Sequence, residues 1–114
     1  MNTHIKGVAG EDLAARYLSK HKYTILERNF RCRFGEIDII AFNEGFIVFI
    51  EVKSRSYDKF GLPREAVSPY KQQRILRAAQ YWLYTNKISG KPVRFDVVEI
   101  LSGNVTVLKD AFRP

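Results

Sequence analysis

Asp38, Glu51 and Lys53 lie in two apolar stretches joined by the short, turn-prone segment Asn43-Glu44-Gly45. Side chains alternate along a strand, so Glu36 and Asp38 share one face of the first stretch, and Glu51 and Lys53 share one face of the second. A two-residue turn at Glu44-Gly45 sets Asn43 against Phe46, and counting outward then puts Asp38 opposite Glu51 and Glu36 opposite Lys53. A three-residue loop would shift the pairing by one and send the two acids to opposite faces. We adopt the two-residue register. Opposed carboxylates with Cβ atoms about 5 Å apart repel by about 3 kcal/mol at an effective dielectric of roughly 20, a cost that an otherwise apolar hairpin does not carry without compensation. A divalent cation would supply it. Hard oxygen ligands favour Mg²⁺ or Mn²⁺, which keep several waters and can bridge a phosphate oxygen to an attacking water. Lys53 would orient that water or stabilise charge developing on the phosphate. Those are the parts of a phosphodiesterase.

The elements that must hold these residues read clearly. Gly35 to Phe42 and Phe46 to Lys53 form a hairpin, and the second strand is so apolar that it must be central and buried on both faces. Tyr23 to Phe30 precedes them as a first strand. From about His4 to Lys20, Val8, Glu11, Ala14, Ala15 and Leu18 recur at helical spacing, which places Glu11 on the apolar stripe, an odd position for a carboxylate. A second helix runs from Ser68 or Pro69 to Asn86 with Ile75, Ala79, Trp82 and Leu83 buried, and Tyr81, Trp82 and Tyr84 at helical spacing are assigned to the core in preference to a base-stacking platform. Val93 to Leu101 and Val105 to Lys109 complete the order α-β-β-β-α-β-β. An α/β fold follows, with a mixed central β-sheet flanked by helices, and residues 1–114 are expected to form a single domain.

Charge supports a polyanionic partner. The 114 residues carry 19 basic and 12 acidic side chains, a formal +7. The excess sits in two stretches, Lys20 to Phe34 and Val52 to Gln80, which flank the paired acids in sequence. Arg31, Arg33, Arg55, Lys59 and Arg64 are therefore candidate phosphate contacts. Lys71, Gln72 and Arg74 open the second helix, whose amino end favours anions. One cysteine, Cys32, and two histidines separated by sixteen residues exclude a zinc cluster, and Cys32 is expected to pack as a small apolar side chain. With no apolar run of bilayer length and no signal-peptide core, a cytoplasmic protein without membrane contact is expected.

An Asp, twelve intervening residues and Glu-x-Lys on adjacent strands resemble the PD-(D/E)XK nuclease motif, with Ile37 where that motif's name has proline. Gly10-Glu11, Arg28-Asn29-Phe30, Gly35-Glu36-Ile37-Asp38, Phe49-Ile50-Glu51-Val52-Lys53 and Arg94-Phe95-Asp96 resemble the YraN family of bacterial proteins over nearly the whole chain. That family is similar to archaeal Holliday junction resolvases. The resemblance implies a restriction-endonuclease-like fold and a metal-site role for Glu11, Asp38, Glu51 and Lys53. It also implies Mg²⁺ or Mn²⁺ as cofactor, branched or junction DNA as substrate, and a homodimer as the assembly to test. For Glu11 the competing reading is a salt bridge to Lys53 or Arg16. Glu36 reads as a partner of Lys53 or a surface acid, and Asp96 as the partner of an arginine. A module that keeps the fold but only binds nucleic acid or a protein partner, without turnover, is the alternative to an enzyme.

Overall fold

Strand-forming runs broken at turn residues, together with two amphipathic stretches, produce seven elements among the described residues, in the expected order. The computed structural model describes residues 3–55 and 67–114. They are α1 (Thr3–Lys20), β1 (Thr24–Cys32), β2 (Gly35–Asn43), β3 (Phe46–Arg55), α2 (Pro69–Thr85), β4 (Val93–Leu101) and β5 (Asn104–Leu108). The five strands form one mixed sheet in sequence order. β1, β2 and β3 run as antiparallel hairpins, β4 and β5 as a third, and β3 pairs with β4 in parallel. Parallel neighbours need a crossover, and α2 is part of it.

The helices cover opposite faces. Ile37, Ile40, Phe49, Ile75, Trp82 and Phe95 pack on the α2 side, while Ala14, Leu18, Ile39, Val48, Ile50 and Val98 pack on the α1 side. Ile47 to Ile50 is thus buried on both faces, which is why that strand carries no period-two polarity. Cys32 packs against the α2-side core.

Ser68 caps α2, its hydroxyl accepting the Lys71 N–H at 3.2 Å, and Pro69 follows in the first turn. Trp82 is buried and donates its indole N–H to Glu27 Oε1 at 2.8 Å. The expectation for its neighbours is overturned: Tyr84 is 82% exposed and Tyr81 39%. Helical spacing treats a tyrosine as an apolar residue, but positions 81 and 84 fall on the flank of the stripe defined by Ile75, Ala78, Ala79 and Trp82.

The hairpin that carries the paired acids has the two-residue register, with Asn43 opposite Phe46 and Ile39 opposite Ile50. Glu44 and Gly45 both take positive φ, 53° and 86°, as the tight turn that matches strand twist requires. A buried polar cluster pins this tip. Asn43 accepts from Arg94 Nη2 at 2.8 Å and donates to the Lys22 carbonyl at 3.1 Å, and Arg94 grips Asp96 through Nε and Nη2, both at 2.9 Å. The arginine partner expected for Asp96 is therefore Arg94.

Candidate functional site

The site lies where β2 parts from β3. Their backbone ladder ends at Ile39 and Ile50, while β3 stays paired with β4 as far as Arg55. Asp38, the first unpaired residue of β2, accepts at Oδ2 the Val52 N–H at 2.7 Å, so a side chain replaces the missing backbone rung. β2 twists there. Ile37 and Ile40 face the α2 side although Ile39 faces the other, a sequence of faces that regular alternation cannot give. Across β1, between the pairs Arg28–Ile39 and Phe30–Ile37, Asn29 takes φ 56°, the left-handed conformation to which asparagine is better suited than most residues.

Glu51 is only 5% exposed. Its Oε2 takes an ion pair from Lys71 in the first turn of α2, and Lys53 Nζ lies 3.8 Å from the same oxygen. Asp38 lies within hydrogen-bonding reach of Glu51. Burial first, and then the charge of Glu51, push the Asp38 carboxyl up to about 8, against the Val52 N–H, which favours the charged form. Burial and the neighbouring Lys71 charge lower the pKa of Lys53, with Glu51 opposing. For Lys71, burial acts against the ammonium, but the hydrogen bond and charge of Glu51 outweigh it and raise its pKa.

Glu11 approaches from α1. Turned with its amide nitrogen toward the helix, Asn29 donates to Glu11 Oε1 at 2.7 Å. Burial raises the Glu11 pKa while Arg28 opposes, and its charge is felt at Asp38. Gly10 permits this approach. A Cβ there would lie 3.3 Å from Ser54 Cβ, tight enough that Ser54 would have to give by a few tenths of an ångström.

Glu36 does not face Lys53, because β2 has already left β3. It pairs instead with Arg31 across the β1–β2 ladder at 3.2 Å, both side chains exposed. Arg31, Gly35, Tyr70, Lys71 and Arg74 line a groove of roughly 570 Å³ beside the carboxylates. Gln72 spends its amide on the Val67 carbonyl at 2.9 Å. Arg33 lies over the Phe34 ring at 4.8 Å. Arg55 ends β3, and Lys59 and Arg64 lie outside the described residues.

Sequence reasoning missed the contact of Lys71 with Glu51. Its signal was topological, since a parallel crossover returns from the end of β3 and so brings the first turn of α2 toward Glu51 and Lys53. Among the described residues no group of three or more His, Cys, Asp or Glu side chains is placed to hold a metal ion. Two carboxylates are nevertheless an adequate protein contribution for Mg²⁺, which usually completes its shell with water and phosphate oxygens.

A mixed five-stranded sheet with helices on both faces, presenting an aspartate against Glu-x-Lys where two strands part, defines an α/β domain with a strand-borne carboxylate pair. The chain belongs to the Uncharacterised protein family UPF0102, whose model matches residues 10–100. It is similar to the UPF0102 protein of Persephonella marina, 47% identical over 112 residues that cover 98% of this chain and 97% of that protein. The UPF0102 protein of Clostridium perfringens strain SM101 is 50% identical over 113 residues, 94% of this chain and 93% of its own length. That of Lachnoclostridium phytofermentans is 46% identical, covering 98% and 96%. No helix among the described residues is long and apolar enough to cross a membrane.

Proposed function

We propose that this protein is a metal-dependent endonuclease that hydrolyses phosphodiester bonds in DNA, with branched or junction DNA the first substrate class to test. The observation that carries the reading is the meeting of Asp38 with the buried Glu51 at the end of the β2–β3 ladder, with Lys53 beside the same Glu51 oxygen. The donor set fits a hard divalent cation, because two acids held this close repel unless a positive charge or a proton intervenes. Asp38 and Glu51 would hold Mg²⁺ or Mn²⁺, with Glu11 a further carboxylate at the margin. When bound, such an ion polarises a phosphate oxygen and acidifies a water. Lys53 Nζ, beside the same Glu51 oxygen, is suited to orient that water or to stabilise charge developing on the phosphate. Arg74, in the adjoining groove, meets phosphate oxygens and fixes the register of the strand.

Cleavage of linear, flapped and four-way DNA with Mg²⁺ or Mn²⁺ tests this. Glu51→Gln is expected to fall to background and Lys53→Ala to lose roughly a hundredfold in rate. Wild type that cleaves none of these substrates, or variants that match it, would overturn the reading.

The competing module without turnover is favoured by one contact, Lys71 on Glu51, since an ammonium there neutralises the carboxylate without a metal. Lys71→Met should therefore lower the melting temperature in EDTA and enlarge its rise on adding MgCl₂, as read by scanning fluorimetry. Equal rises in variant and wild type would remove Lys71 from the account of the site.

A further inference from the structure

We infer that the outer face of α2 is a docking strip for single-stranded DNA that leads into the carboxylate site. Tyr70, Arg74, Arg77, Tyr81 and Tyr84 are spaced alternately four and three residues apart, which aligns them in one row along the helix. The row is about 21 Å long. All five are exposed, Tyr70 at 73% and Tyr84 at 82%, and α2 contains no acidic residue. The β1–β2 turn adds Arg33 and Phe34, with Phe34 set against Tyr81 at 5.8 Å between ring centroids. Arg74 lies over Tyr70 at 5.8 Å. Among the described residues, Arg33, Arg74 and Arg77 have no carboxylate within ion-pair distance.

Three hollows connect the row to the site. The groove that contains Lys71 shares Tyr70 and Arg74 with a second hollow, and this shares Phe34 and Arg77 with a third that reaches Tyr84. Arginines without acid partners attract a phosphate backbone, whereas open aromatic faces gain nothing from a duplex, whose bases are stacked on one another. Rings alternating with cations suit unpaired bases, which stack on any π-face while the backbone follows the charge. The row thus selects a single-stranded tract, and its continuity with the groove carries that tract to Lys71 and Glu51. The inference deepens the nuclease reading and rests on it for where the strand leads; binding itself is measured with the metal chelated.

Fluorescence anisotropy in EDTA compares a labelled oligodeoxythymidine with a duplex of equal length. Wild type should bind the single strand more tightly, and Tyr84→Ala and Tyr70→Ala should each lose roughly tenfold for the single strand alone. Both rings are exposed, so the fold is not at stake. Tyr84→Phe should retain affinity, and Lys91→Ala, outside the row, should weaken both ligands slightly and alike. The inference is overturned if the alanine variants bind like wild type, if duplex is bound as tightly with the same losses, or if oligouridine RNA is preferred. Ring-dependent binding by a protein that cleaves nothing would refute the nuclease and keep the strip. Cleavage with ring-independent binding would refute the strip alone.

Discussion

Asp96→Ala is expected to lower the free energy of unfolding by about 3–5 kcal/mol, a large share of the roughly 5–15 kcal/mol that holds a domain together. Asp96 has no solvent exposure and accepts four hydrogen bonds: Arg94 Nε and Nη2 at 2.9 Å each, Tyr23 Oη at 2.8 Å and the Asp110 N–H at 3.0 Å. Truncation leaves the buried Arg94 guanidinium with only the exposed Glu44 carboxylate, 3.6 Å from Nη1, as charge partner, and strips partners from a hydroxyl and an amide at once. Arg94 would not compensate by losing its proton, since guanidinium is always charged near neutrality. Burial and the Asp96 charge together push the Tyr23 phenol above its ordinary range, so it remains a donor at any practical pH. Urea denaturation gives the test, with a lower midpoint at unchanged slope expected. Loss of the exposed Arg113–Asp110 pair should barely move that midpoint. An Asp96→Ala midpoint equal to wild type would show that the cluster does not secure the hairpin.

Asp38→Asn is expected to move activity and stability in opposite directions. Asparagine keeps an oxygen for the Val52 N–H, so the strand ends stay where they are, yet the proposed cleavage should fall to background because the carboxylate is gone. In EDTA the same change should stabilise the fold near neutral pH. Folded Asp38 holds its proton to about 8, whereas the unfolded chain releases it near the ordinary value of 3.8. Between those values the native state binds more protons, so the stability of wild type falls as pH rises, by at most about 1.4 kcal/mol per pH unit from this group. The penalty is absent below the unfolded value and complete above the folded one. Asp38→Asn should flatten this slope, which thermal or urea unfolding from pH 4 to pH 8 in EDTA measures. A wild-type profile flat over that interval would show that the two acids do not burden each other.

What was legible in the sequence was local. Alternation along Gly35–Phe42 and Phe46–Lys53, together with the turn residues between them, led to the register that brings Asp38 to Glu51. The apolar run of β3 announced a central strand. Other features depend on residues distant in the chain. Arg94 meets Asn43 across 51 positions and Tyr23 across 71, and no local pattern encodes such a contact. The twist at Asp38 was hidden as well, because alternation assumes a ladder that continues, and of the two readings of Glu36, a partner of Lys53 or a surface acid, only the second fits. Tyr81 and Tyr84 were misplaced because a phenol satisfies an apolar pattern and a wet surface equally well.

The two ends of the β2–β3 hairpin tolerate change for opposite reasons. At the tip, Asn43, Arg94 and Asp96 interlock so closely that substitution there costs foldedness before it can alter anything else. At the open end, the Glu51 charge burdens Asp38, and neutralising Asp38 relieves it, whereas Glu51 also serves as the partner of Lys71 and Lys53. Asp38 is thus the position at which a neutral side chain would leave the scaffold better off, and a carboxylate there carries a standing cost in stability that a bound cation would offset.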